Sequence, residues 1–91
     1  MMTEKAFGKF LERIQKIQRF LFNEGTDKYL DVETRSDDYG LSIIVVAYNM
    51  NVTFHTEEGE PYHFKYFYLY QFWDDEKNGQ QINEIVEFLR Q

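Results

Sequence analysis

The run from Tyr62 to Trp73, YHFKYFYLYQFW, constrains this chain more than any other stretch. Nine of its twelve residues are aromatic or leucine, and it contains neither Gly nor Pro. Such residues favour the pleated, half-buried surface of a sheet. The run therefore reads as one long β-strand that the remaining residues must pair with and cover.

Two segments upstream supply partners. Lys28 to Ser36 alternates, with Leu30, Val32 and Thr34 on one side and Tyr29, Asp31, Glu33 and Arg35 on the other, as a strand with one buried face requires. Asp37-Asp38-Tyr39-Gly40 carries turn chemistry. Leu41 to Thr56 opens on the run LSIIVVAY and reads as a second long strand with a bulge near Asn49 to Asn51. Glu57-Glu58-Gly59-Glu60 is the next turn, and Pro61 is tolerated at the start of the third strand.

Helices flank this sheet. Thr3 is a candidate N-cap, and Phe7, Phe10, Leu11, Ile14, Ile17, Gln18 and Leu21 form one stripe at helical spacing. Lys5, Lys9, Arg13, Lys16 and Arg19 gather on the opposite side, with Phe20 near them, and Gly25 supplies a stop. The last helix begins either at Asp74 or after Gly79, and Ile82, Ile85, Val86 and Leu89 form its apolar stripe with Phe88 at the edge. The fold class is thus α+β, in the order α-β-β-β-α: a three-stranded antiparallel meander with N- and C-terminal helices packed on one face. Ninety-one residues set the expectation of a single domain.

Register decides what the two faces of the sheet hold. A two-residue turn at Glu58-Gly59 would set Ala47 opposite Tyr70 and Val45 opposite Phe72. Ile43, Val45, Ala47, Tyr66, Tyr68, Tyr70 and Phe72 would then lie beneath the helices, joined by Leu30 and Val32 if the first hairpin also has a two-residue turn. A three-residue turn with Gly40 in a bulge would shift that register by one and exchange the two faces of the first strand. The other face would carry Ile44, Val46, Tyr48, Met50, Phe67, Leu69 and Trp73 beside Asp31, Glu33, Arg35 and Gln71. Two singly striped helices cannot cover both faces, so an apolar patch is expected to remain open as an interface. Ile44, Val46, Tyr48, Phe67, Leu69 and Trp73 are its expected anchors.

Charge and motifs narrow the function classes. The formal net charge is −6. Thr3 to Phe22 holds five bases against two acids, while Asn23 to Gln91 holds fourteen acids against five bases. So acidic a body disfavours general nucleic-acid binding. The chain has no Cys, which removes disulfides and thiolate metal sites. It has no run of the roughly 20 apolar residues needed to span a membrane and no secretory pattern at its start, so a cytoplasmic location is expected. The same pairing would set His55 opposite Tyr62 and His63 opposite Phe54, pointing the two imidazoles to opposite faces and away from a shared metal. No nucleophile motif or phosphate loop is present.

The element order is that of double-stranded RNA-binding domains. That family grips phosphate with a basic start to its second helix, where this chain has Asp74-Asp75-Glu76-Lys77, so the similarity stops at element order. The expectation is a non-enzymatic protein–protein interaction domain, with no catalytic, cofactor or metal residues and no small-molecule substrate. It would bind a protein partner or itself, as a homodimer, through the open sheet face. The alternatives are an acidic inhibitor imitating nucleic acid, or a module binding through the basic stripe of the first helix.

Overall fold

The computed structural model describes residues 1–91. Helix α1 spans Glu4–Glu24, strands β1 and β2 span Lys28–Asp37 and Gly40–Asn49, β3 spans Phe54–His55, β4 spans Pro61–Tyr62, β5 spans Phe64–Tyr70, and helix α2 spans Asp75–Arg90. The antiparallel sheet has the order β1-β2-β5, and β3 with β4 forms a separate two-stranded ribbon. Helix α1 lies over β1, and α2 lies over β2 and β5. The class is α+β, with a helix at either end and both helices on one face of a three-stranded antiparallel sheet.

Each helix forms for the reasons its sequence supplies. Thr3 Oγ1 accepts from the Ala6 N–H at 3.1 Å and Gly25 closes α1. The predicted stripe is turned inward, with Phe7, Phe10, Ile14 and Leu21 buried. Asp74 caps α2 by accepting from the Lys77 N–H at 2.8 Å, which fixes the start of that helix ahead of Asn78-Gly79. Acids in its first turn suit the positive end of the helix dipole. Ile82, Ile85 and Leu89 are buried as their spacing predicts, and Phe88 joins them in the core.

The first hairpin has a two-residue turn at Asp38-Tyr39, because Asp37 pairs with Gly40. This sets Leu30 opposite Ala47 and Val32 opposite Val45, beneath the helices. The second hairpin departs from expectation twice. Its loop has three residues, Glu57-Glu58-Gly59, closed by Thr56 N–H donating to the Glu60 carbonyl at 2.9 Å. Gly59 sits at φ 87°, the left-handed conformation that completes a three-residue hairpin loop. Phe54 consequently faces Tyr62, and His55 faces Pro61 instead of Tyr62. Met50 to Thr53 then loop out, and the ladder resumes where the Asn49 N–H donates to the His63 carbonyl at 2.8 Å.

The two departures have different consequences. Four looped-out residues are an even number and preserve which side of the sheet each residue faces. The third loop residue is an odd addition, and a one-residue slip inverts every side chain of the strand that follows. Val45 accordingly faces Phe67, and Ile43 faces Leu69. Phe67 and Leu69, expected on the open face, are core residues exposed by 2% and 0%. Tyr66 and Tyr68, expected beneath the helices, stand on the open face.

Three buried amides tie the elements together, and no buried side-chain nitrogen or oxygen lacks a partner. Asn49 Nδ2 donates to the carbonyls of Phe88 at 2.7 Å and Gln91 at 3.2 Å, closing the C-terminus of α2, while its Oδ1 accepts from the Asn51 N–H. Gln71 Oε1 accepts from the Leu41 N–H at 2.9 Å, and its Nε2 donates to the Met2 carbonyl at 3.0 Å. Asn78 bonds both backbone groups of Tyr70, accepting from its N–H at 3.1 Å and donating to its carbonyl at 2.9 Å. No helix is long and apolar enough to cross a membrane.

Candidate protein-binding face

The sheet face away from the helices is built from cross-strand rows. Asp31 pairs with Val46, which pairs with Tyr66. The next row is Glu33, Ile44 and Tyr68, and the row beyond it is Arg35, Ser42 and Tyr70. At the other end Tyr29, Tyr48 and Phe64 align, with the Tyr29 and Tyr48 rings stacked at 4.3 Å. Charges therefore occupy β1, aliphatic side chains occupy the centre, and aromatic rings occupy β5.

The β5 rings form a fence. Tyr66, Tyr68 and Tyr70 follow each other at centroid spacings of 6.3 Å, with planes inclined by only 10° and 8°. That spacing is close to the two-residue rise of a strand. The rings face one another along the strand and present their edges outward. Each phenol adds a hydroxyl that donates and accepts. Tyr66 is 52% exposed and Tyr68 39% exposed, while Ile44 and Val46 between the rows are half-buried.

Of the expected anchors, Ile44, Val46 and Tyr48 lie on this face, whereas Phe67 and Leu69 lie beneath the helices. Trp73 falls beyond β5, half-buried, packed edge-on to Tyr70 at 4.7 Å with Lys77 Nζ 4.1 Å above its ring. Tyr66 and Tyr68 take the places assigned to Phe67 and Leu69. The sequence carries a signal for them, since alternation divides β5 into two sets, but the size of the Gly59 loop decides which set faces out.

Electrostatics of the face are mild. Glu33 accepts from Arg35 Nε at 3.3 Å, an exposed pair of small energetic weight, which leaves Asp31 unpaired. Desolvation by surrounding groups raises the pKa of the Tyr48 phenol above its ordinary value, with Tyr29, Asp31 and Tyr66 adding to the effect.

The remaining candidate residues are dispersed. Lys5, Lys9, Arg13, Lys16 and Arg19 are all exposed along α1, and none forms an ion pair. Arg13 and Lys9 lie near Asp75 at the start of α2. His63 sits at the joint between the sheets, its Nδ1 2.7 Å from the Val52 carbonyl, and His55 is on the outer ribbon. No three carboxylate or imidazole side chains converge into a metal-holding group. The acidic runs divide between the two ends of the sheet: Asp37-Asp38 and Asp74 to Glu76 at one end, Glu57, Glu58 and Glu60 on the ribbon at the other.

The fold and this face together describe a small α+β domain with one open aromatic sheet surface. Comparison with protein-family models, with curated proteins and with solved structures gives no match.

Proposed function

We propose that this is a non-enzymatic protein-binding domain whose open sheet face receives a partner protein. The observation that carries the reading is the partition of the sheet. One face packs its apolar residues beneath two helices, and the other leaves Tyr66 and Tyr68 half-exposed around the Ile44–Val46 centre. Contiguous apolar surface of this kind, edged by polar groups, marks interaction sites, and tyrosine is a frequent anchor in them.

The rim selects the partner's chemistry. Face-to-face packing of two copies would set Asp31 and Glu33 either against the same acids or against the tyrosines of β5. Both arrangements desolvate the Asp31 and Glu33 carboxylates of both copies, with Arg35, already paired with Glu33, as the one base on the face. A partner with an apolar centre and a base opposite Asp31 avoids that cost, and the −6 charge of the chain steers a basic surface toward it. The division of the acidic runs between opposite ends of the sheet favours this reading over imitation of a nucleic acid.

The test is paired capture from the source cells. Val46→Asp places a charge at the centre of the face, and Lys9→Glu with Arg13→Glu and Lys16→Glu reverses the helix stripe. The reading requires a bound protein that is lost with the first change and kept with the second. A bound protein lost only with the second change assigns binding to α1 and overturns the reading.

A further inference from the structure

We infer that β5 is also a self-pairing edge, and that two copies join through it into one continuous six-stranded sheet. The inference does not depend on the open face having a partner. The backbone groups of β5 point in two directions. Gln71 N–H donates to the Leu41 carbonyl and Asn49 N–H to the His63 carbonyl, so the odd-numbered residues of this strand bond inward to β2. In an antiparallel ladder the alternate residues then direct their N–H and C=O outward. These are Phe64, Tyr66, Tyr68 and Tyr70.

Tyr70 is already occupied, because Asn78 bonds both of its backbone groups. Beyond Phe64 the chain turns away into the β3–β4 ribbon at His63. What remains is a free edge of three residues, closed at both ends. The opposite edge of the sheet is guarded differently. Half of the ten residues of β1 are charged, and Gln18 Nε2 covers the Leu30 carbonyl at 3.0 Å. Strand β5 has Lys65 as its one charge and is apolar and aromatic elsewhere. Unpaired N–H and C=O groups on an apolar edge are a template for pairing with another chain.

The occupant follows from register. Antiparallel self-pairing that uses all three free residues has one solution, with Tyr66 opposite Tyr66 on the two-fold axis and Phe64 opposite Tyr68. Any other register either meets the Asn78 side chain at Tyr70 or runs into the ribbon. The contact is self-complementary, as a two-fold interface must be. It forms about six hydrogen bonds, two for each close pair. On the helix side, Lys65 lines a groove with Glu84 and Glu87 of its own chain beside this edge. The open faces of the two copies become contiguous.

Two measurements test this. In sedimentation, the wild-type chain should behave as twice its 11.1 kDa mass at micromolar concentration. Tyr66→Lys sets like charges across the axis and should weaken association at least about tenfold, with an unchanged far-UV spectrum. Because the chain lacks cysteine, single replacements then read the register. Paired Tyr66 backbones would stand about 5.5 Å apart, within disulfide reach, whereas two Tyr68 positions would be offset by about 13 Å. Tyr66→Cys should cross-link on oxidation and Tyr68→Cys should not. A monomeric wild type at high micromolar concentration, or equal cross-linking at both positions, overturns the inference. So does a Tyr66→Cys that cross-links in cells to another protein in place of itself, which would give the edge to a foreign strand.

Discussion

Phe67 and Tyr68 are neighbours in the chain and lie on opposite sides of the sheet, the first 2% exposed against Phe88 and the second 39% exposed on the open face. Phe67→Asp buries a carboxylate in the core and should unfold the chain, exceeding the roughly 3–5 kcal/mol that Phe→Ala costs in a core. Tyr68→Asp should change stability by no more than about 1 kcal/mol, as exposed substitutions do. Thermal melts followed by far-UV circular dichroism decide between this register and its inverse, in which Tyr68 would be the damaging position.

Gly40 meets the Gln71 side chain. A Cβ built on Gly40 would lie 2.6 Å from Gln71 Oε1, at a backbone φ of 110° that only glycine adopts without strain. Gly40→Ala should therefore displace the amide that accepts from Leu41 and donates to Met2, at a cost of about 2–4 kcal/mol from strain and lost hydrogen bonds together. Gly25→Ala meets open space and pays only for its positive φ, about 1 kcal/mol. Urea titrations of the two variants give the comparison, and equal losses would contradict the Gln71 contact.

Asn49 holds the end of α2 from the sheet. Asn49→Asp keeps the shape but replaces the donor to the Phe88 and Gln91 carbonyls with a group that accepts, beside the negative end of the helix dipole. The loss should exceed that of Asn49→Ala above pH 7 and shrink as the pH falls and the new acid is protonated. A pH series of chemical melts reads this directly.

The raised pKa of Tyr48 gives a second pH dependence. Its folded-state value lies above the ordinary phenol value of about 10. The neutral phenol is thus favoured by folding, and the associated stability is fully present below pH 10 and lost as the pH rises through the folded value. Tyr48→Phe should flatten the alkaline end of the stability curve. Ultraviolet difference titration of wild type against this variant should show Tyr48 ionising above the ordinary range.

Much of the architecture is legible in the sequence because each element carries its own local signal. The α1 stripe from Phe7 to Leu21 and the caps at Thr3 and Gly25 follow from residue type and spacing, whereas Asp37 to Gly40 marks a turn without fixing whether two or three residues make it. The contents of the open face are legible only in part. Ile44, Val46 and Tyr48 follow from the first hairpin and its two-residue turn. Tyr66 and Tyr68 exchange places with Phe67 and Leu69 because alternation specifies two sets but not which side each takes. That choice rests on whether two or three residues make the loop before Glu60, and Gly59 is compatible with either. The buried roles of Asn49, Gln71 and Asn78 leave no periodic trace, since a tertiary amide contact depends on a partner far along the chain.

The most direct test of the open face as a binding surface is site-specific photo-cross-linking in the source cells. A benzophenone side chain replaces Tyr68 in one variant and Arg19 in another, so that the sheet face and the exposed side of α1 are probed alike. The face reading predicts a discrete adduct with another protein from position 68 that is lost when Val46→Asp is added, and none from position 19. An adduct from position 19 with none from position 68 would contradict it.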